Sequence, residues 1–243
     1  MRSAQSSGPL QGAPVTLAAY VRSAMHWGGR ARLMERFVSP QVAEFVCRRG
    51  LDCATECETL EISVVCSDLR GFTAFSEVTS SPRVLQILRE YYEAAGAAAA
   101  ECGGTIKDQA GDGVLILVGA PVPFADHARR ALLLAKRLRS DAIELCARWG
   151  SAAPRLGVGI GVASGRVTVG VLGAGSRLEY TAVGPAVNLA SRLCAQAAHG
   201  QLLISQRSID LLDADNQRGE LRPGNALWLK GIEHPVQSYS LGS

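Results

Sequence analysis

Short runs of β-branched and aliphatic residues alternate along this chain with two long amphipathic segments, and that alternation restricts the fold more than any other feature. Ile62-Ser63-Val64-Val65-Cys66 reads as a buried strand. Ser81-Pro82 then opens a helix in which Val84, Leu88, Tyr91 and Ala95 recur at helical spacing until Gly103-Gly104 stops it. Residues 105–109 and 114–118 are strand-like and flank a turn at Asp112, which predicts a hairpin. A second helix is expected over residues 125–149, with Ala128, Ala131, Ala135 and Leu138 on its apolar face. Residues 156–162 and 166–172 read as two separate, glycine-bearing strands. A Gly173-Ala174-Gly175-Ser176 turn, a strand near Tyr180 and a helix carrying Asn188 follow. The tail adds a strand at Leu202-Leu203-Ile204, a short helix near Ile209, and strands over 227–229 and 236–241. This order predicts an α/β sandwich on a mixed sheet.

The chain has 243 residues and is 47% apolar, enough for one sizeable core and an appendage. A net charge of +3 without a long basic run excludes a dedicated nucleic-acid binder and leaves room for a small anionic ligand. Seven cysteines, with Cys53 and Cys57 as the closest pair, fit neither a disulfide framework nor the usual zinc spacing, so a reduced, cytoplasmic chain is expected. No run of about 18 apolar residues predicts a membrane span, and residues 1–9 lack the apolar stretch of a signal peptide. Residues 1–14 are expected to be a disordered start. Residues 15–57 read as a helical lead-in or brace, broken at Gly28-Gly29 and capped anew at Ser39-Pro40. Its Phe37, Val42, Phe45 and Val46 are expected to pack on the main domain, residues 58–243, or on a second subunit.

Two acidic stretches carry the chemistry. Cys66-Ser67-Asp68-Leu69-Arg70-Gly71-Phe72-Thr73 follows a strand, and Ala110-Gly111-Asp112-Gly113 forms a turn. Either aspartate alone is an ordinary turn residue, but neighbouring strands would bring the pair together as a two-metal phosphate site. A third segment, residues 179–193, opens the helix carrying Asn188 and Arg192, whose four-residue separation places an amide and a guanidinium on one face.

In this order, over roughly residues 58–241, these segments resemble the catalytic domain of the class III nucleotide cyclases, the adenylyl and guanylyl cyclase superfamily. The lead-in Glu35-Arg36-Phe37-Val38-Ser39-Pro40-Gln41-Val42-Ala43 is similar to the segment that often precedes such domains in bacteria. The resemblance implies a ferredoxin-like core working as a head-to-tail homodimer with shared active sites. It implies an enzyme of cyclic-nucleotide signalling that forms a 3′,5′-cyclic nucleotide and pyrophosphate from ATP or GTP. Asp68 and Asp112, with the Leu69 carbonyl, would hold Mg2+ or Mn2+, two ions per site. Backbone amides of Gly71, Phe72 and Thr73 would cradle phosphates. From the partner subunit, Asn188 would orient the ribose and Arg192 would bond the α-phosphate in its transition state.

Asp108 and Thr181 occupy the family's base-selecting positions. Asp108 stands where adenylyl cyclases carry lysine and guanylyl cyclases glutamate, so it favours guanine. Thr181 agrees with many bacterial adenylyl cyclases, although a hydroxyl serves either base. The two arguments nearly cancel, with the balance toward ATP. Lys107 is expected to point to the opposite face of its strand unless the register changes. Cys66 replaces a usual aromatic residue, a packing change that leaves a partly exposed thiol open to oxidation. Pro185 replaces a common acidic residue and suits a first helical turn. Lys230, Arg155, Arg166 and Arg177 are equal candidates for a triphosphate-binding base. His26, His127, His199 and His234 have no metal-ligand spacing. The alternatives are a catalytically silent nucleotide-binding or dimerisation module, in which Asn188 caps its helix and Arg192 makes a surface ion pair, and a polymerase-like enzyme with a related palm.

Overall fold

Strand β1 (Cys57–Arg70) runs through the middle of one mixed sheet, and its alternating side chains define the two layers of the protein. Val65 and Leu69 face one side, and Ile62, Val64 and Cys66 face the other. The computed structural model describes residues 39–49, 56–149, 156–174, 177–212 and 219–241. The expected disordered start and the Gly28-Gly29 break lie outside these residues.

The strand order is β2 (Gly104–Ala110), β3 (Gly113–Val118), β1, β4 (Gly157–Ala174), β6 (Gln201–Ser205), β8 (Val236–Leu241) and β7 (Leu221–Leu227). β5 (Arg177–Val183) pairs with β4 off this path. β4 and β6 run parallel, and the other described pairs are antiparallel. Helices α3 (Ser81–Cys102) and α4 (His127–Trp149) cover one face, burying Ile87, Tyr91 and Ala95 beside Ala131, Leu134 and Leu138. Helix α5 (Pro185–Gln196) covers the other with Ala186 and Ala190, and a short α6 (Gln206–Asp210) follows β6. The mixed α/β sandwich expected above is present.

Local chemistry explains the helix ends. Pro82 sits in the first turn of α3, where its missing N–H has no intrahelical partner to lose. Gly103 ends α3 in the left-handed region at φ 72°, its N–H bonded to the Ala99 carbonyl. Residues 156–172, expected as two strands, form the single strand β4. Ala163, Ser164 and Gly165 stay extended because they pair with Val64, Ser63 and Ile62 of β1. β7 lies earlier than expected: Leu227 is its last residue, and its pairing with β8 is interrupted between Pro223 and Ala226. Pro-Gly inside the segment hides it from periodicity.

Helix α1 (Pro40–Arg49) docks on the domain through its first turn. Ser39 caps α1 as expected, its carbonyl accepting the Val42 and Ala43 N–H groups at 2.9 and 3.0 Å, while its hydroxyl donates to the Ile106 carbonyl at 2.6 Å and Gln41 donates to the Gly104 carbonyl at 3.2 Å. Both carbonyls belong to the edge strand β2, so the lead-in satisfies an otherwise open edge. Phe45 meets Tyr180 edge-on at 5.4 Å. Phe45→Ala should lower stability by about 1–2 kcal/mol, read as a lower urea midpoint at unchanged slope.

A buried polar chain crosses the α4 side. Ser63 Oγ lies 2.9 Å from His127 Nδ1 and 2.6 Å from Ser164 Oγ, which continues to Ser208 at 2.8 Å and Ser205 at 3.0 Å. Burial holds the His127 imidazole below its ordinary pKa, opposed by Glu61 and Asp126 and reinforced by Arg207. The unfolded chain therefore takes up a proton at a higher pH than the native ring does. Stability should fall as pH drops below about 6.5, and His127→Gln should flatten that part of a pH series of thermal melts.

Candidate active site

The β1–β3 pairing brings the two aspartates together. Asp68, near the end of β1, lies opposite Gly113 of β3, and Asp112 is the residue just before Gly113 in the tight turn from β2. Gly111 takes φ 62° there, a conformation that favours glycine. The turn is pinned twice: Leu69 N–H donates to the Asp112 carbonyl at 3.1 Å, and the Tyr92 hydroxyl donates to the Gly111 carbonyl at 2.6 Å. Burial, then the nearby Asp112 carboxylate, pushes the Asp68 pKa up, with Arg70 acting against them. A divalent cation would relieve that repulsion, and hard carboxylate oxygens suit Mg2+ or Mn2+. Among the described residues no cluster of three or more His, Cys, Asp or Glu forms. The two carboxylates would therefore share their cations with backbone, water and substrate oxygens.

Arg70 is a site residue that the motif reading passed over. Its Nη1 donates to Asp68 Oδ2 at 2.9 Å, its Nε to the Ala197 carbonyl at 3.0 Å, and its Nη2 to the Cys194 carbonyl. The guanidinium lies over Gly159, where any Cβ would collide with it. Arg70 thus ties a candidate metal carboxylate to the C-terminal end of α5, where a cation also complements the helix dipole. The available signal was the two-residue spacing of Asp68 and Arg70 on a strand, which places both on one face.

Gly71, at φ 73°, is the N-cap of the short helix α2 (Phe72–Val78), which Phe72 and Thr73 open. Asn188 and Arg192 lie on the exposed face of α5, opposite the buried Ala186, Ala190 and Leu193. Gly184 is the N-cap of α5, so Asn188 does not cap it. The Asn188 N–H donates to the Gly184 carbonyl at 3.3 Å, and neither the Asn188 nor the Arg192 side chain has a hydrogen bond or ion pair to another described residue.

The β2 hairpin corrects the expectation for Lys107. The β2–β3 register shifts between Ile106 and Asp108, so Lys107 is the bulged residue and strict alternation fails there. Its Nζ forms a 2.5 Å ion pair with Glu179, with only 13% of the Lys107 side chain exposed, while the Asp108 side chain is 51% exposed. Glu179 lies two residues from Thr181 on the same side of β5, and both line a cleft of about 330 Å³ with Leu172, Gly173 and Ala174. Lys230 is exposed in a turn, not on a strand, and Arg166 is exposed on β4. Arg155 and His26 lie outside the described residues, and the Arg177 side chain is not among those described. His127 is buried, His199 Nδ1 accepts the Val158 N–H at 3.3 Å, and His234 is exposed.

Comparison with known proteins places this arrangement. Residues 55–243 match the family described as the adenylate and guanylate cyclase catalytic domain. Over 163 residues the chain is 31% identical to an adenylate cyclase of Anabaena cylindrica, covering 65% of this chain and 32% of that protein. The chain spans about a third of the length of the first curated relatives it matches. In structure it is similar to the adenylyl cyclase CyaB from P. aeruginosa, with a TM-score of 0.70 and 31% identity over 77% of this chain and 96% of that one. The guanylyl cyclase Cya2 gives a TM-score of 0.68 and 31% identity over 76% of this chain and 92% of that one. No described helix is long and apolar enough to cross a membrane. With its aspartate pair at the β1 end and its matching fold, the chain belongs to the adenylate and guanylate cyclase catalytic domain family.

Proposed function

We propose that this chain is a homodimeric purine nucleotide cyclase that converts ATP, in preference to GTP, to the 3′,5′-cyclic nucleotide and pyrophosphate by a two-metal mechanism. The observation that carries this reading is the meeting of Asp68 and Asp112 at the end of β1, while the Asn188 and Arg192 side chains stay exposed and unpartnered on another element. Two half-sites on separate elements are what a head-to-tail dimer would bring together, each protomer supplying one half.

When bound, two divalent cations supply Lewis acidity toward the ribose 3′-hydroxyl and the departing pyrophosphate. Asp68 and Asp112 would hold them, with the Leu69 carbonyl as a further oxygen. The Gly71, Phe72 and Thr73 amides would face the phosphates. Asn188 of one protomer fixes the ribose so that O3′ lies in line with the α-phosphorus. The O3′–P bond forms as the bond from the α-phosphorus to the bridging oxygen breaks, and the hydroxyl proton passes to water. Arg192 donates to the α-phosphate oxygens as negative charge gathers on them.

For the base, the bulge supports Lys107 as the cation that reaches the Thr181 side of the cleft, in place of Asp108. Lys107→Ala should move the ratio of kcat/KM values toward GTP by about fivefold, the worth of one hydrogen bond of about 1 kcal/mol. Assays with ATP and GTP side by side, in Mg2+ and in Mn2+, test the whole proposal. Cyclic product supports it, and a demonstrably dimeric protein making none from either nucleotide contradicts it. The Arg70 contact to Asp68 favours one second reading, a silent nucleotide-binding module. It predicts nucleotide-induced thermal stabilisation without turnover.

A further inference from the structure

Two cysteines meet where the strand bearing Asp68 touches α5, and neither takes part in the proposed cyclisation. Cys66 of β1 lies directly opposite Gly161 of β4, and opposed residues of an antiparallel pair project to the same face. Gly161 has no room for a Cβ. The Ala190 carbonyl and Cys194 N–H lie against it, and the Cys194 Cα is 3.0 Å from where a Cβ would stand. The α5 backbone therefore rests on the sheet itself, and Cys194 comes down beside Cys66. The two side chains are thus neighbours at the junction of β1, β4 and α5, and the Cys194 thiol donates to the Gly159 carbonyl at 3.3 Å. Cys66 is half-buried and Cys194 is buried. A peroxide can reach the first, and the second stands where a resolving thiol must stand. The other described free cysteines, Cys57, Cys102 and Cys146, lie at the start of β1, on α3 and on α4.

We propose that Cys66 and Cys194 are a redox modification site, at which hydrogen peroxide oxidises Cys66 and Cys194 resolves it to an intrachain disulfide. In the first step Cys66 Sγ attacks a peroxide oxygen. An S–O bond forms as the O–O bond breaks, and the thiol proton leaves in a water molecule, giving a sulfenic acid. In the second step Cys194 Sγ attacks the Cys66 sulfur. The S–S bond forms as the S–O bond breaks, and hydroxide takes the Cys194 proton to become a second water. The two sulfurs lose two electrons and the peroxide gains them, and a reducing thiol reverses the change.

The location gives the bond a consequence, which rests on the proposed cyclase function. Cys66 stands two residues before Asp68 and Cys194 two residues after Arg192. Closing the two neighbouring thiols to an S–S bond of about 2.05 Å draws α5 toward β1, at the junction that Arg70 bridges. Displacements near 1 Å cost about 100-fold in rate, so oxidation should lower turnover at least tenfold, reversibly.

The test is non-reducing peptide mapping of the full chain after hydrogen peroxide treatment, with turnover measured before oxidation, after it and after dithiothreitol. A linked Cys66–Cys194 peptide lacking two hydrogens is expected, lost in Cys66→Ala and in Cys194→Ala and reversed by dithiothreitol. In Cys194→Ala, Cys66 should instead advance to the sulfinic acid. Sulfinic acid at Cys66 while Cys194 is present, linkage of either residue to another cysteine, or no linkage would overturn the site. A linked, active enzyme with unchanged turnover overturns the regulatory consequence alone. A reduced chain that turns over neither nucleotide contradicts the cyclase reading, and the map still decides the modification site. If Cys194→Ala fails to fold, the wild-type and Cys66→Ala maps decide it.

Discussion

Arg192→Ala is expected to lower kcat on the order of 10²–10³-fold while KM for the nucleotide stays within a few-fold. The split follows from where charge appears. In the bound ground state the α-phosphate carries one negative charge already served by the cations, and the guanidinium adds little. As the phosphorus becomes five-coordinate, charge gathers on the oxygens that Arg192 faces, so its loss is felt in the transition state. Arg192 lies on the exposed face of α5 with no partner among the described residues, and its removal should leave the melting temperature unchanged. Steady-state kinetics and a thermal melt check both. A large rise in KM at constant kcat would make Arg192 a ground-state binding group, and a collapse of stability would make it a structural one.

Asp68→Asn should reduce turnover on the order of 10³-fold or more, because an amide keeps the shape of the carboxylate but neither its charge nor its strength as a cation ligand. In the metal-free protein the same change should leave the melting temperature equal or higher. Asp68 is partly buried beside Asp112, and that environment raises its pKa, so the negative charge is a burden on the folded state until a cation arrives. Removing the charge also frees Arg70 from its ion pair, which acts in the opposite direction. A Mn2+ titration followed by thermal shift should stabilise the wild type and have little effect on Asp68→Asn. Equal stabilisation of both proteins would remove Asp68 from the cation site.

The elements legible in the sequence were those whose limits are written in local chemistry. Helix α3 runs from Ser81 to Cys102 because a proline stands in its first turn and a left-handed glycine follows its end. Strand β8 occupies the residues 236–241 expected for it. Long-range pairing decided the features that stayed hidden. β4 runs unbroken because β1 lies beside it from Gly157 to Gly170, and nothing in Ala163-Ser164-Gly165 itself announces that neighbour. The hydroxyl of Ser39 turned to the β2 edge instead of its own helix, a choice that depends on where β2 lies.

The same division runs through the candidate site. Asp68, Asp112, Asn188 and Arg192 could be picked out because each sits at a spacing with chemical meaning. The bulge at Lys107 could not, since a register shift is a property of two strands and not of one. Arg70 was visible as a neighbour of Asp68, but its bonds to the carbonyls of Cys194 and Ala197 join residues more than a hundred positions apart. The contact of Cys66 with Cys194 was hidden for the same reason, because it depends on how closely α5 settles on Gly161.

Mixing Asp68→Ala protein with Arg192→Ala protein puts the shared-site geometry to its most direct test. Each variant alone should be nearly inactive, since every site in either homodimer lacks one essential group. In a mixed dimer, one site collects both defects and the other collects none. An equal, fully exchanged mixture should therefore recover roughly a quarter of wild-type turnover. If mixed dimers are shown to form and activity does not return, the two half-sites do not converge on one nucleotide, and the account fails at its centre.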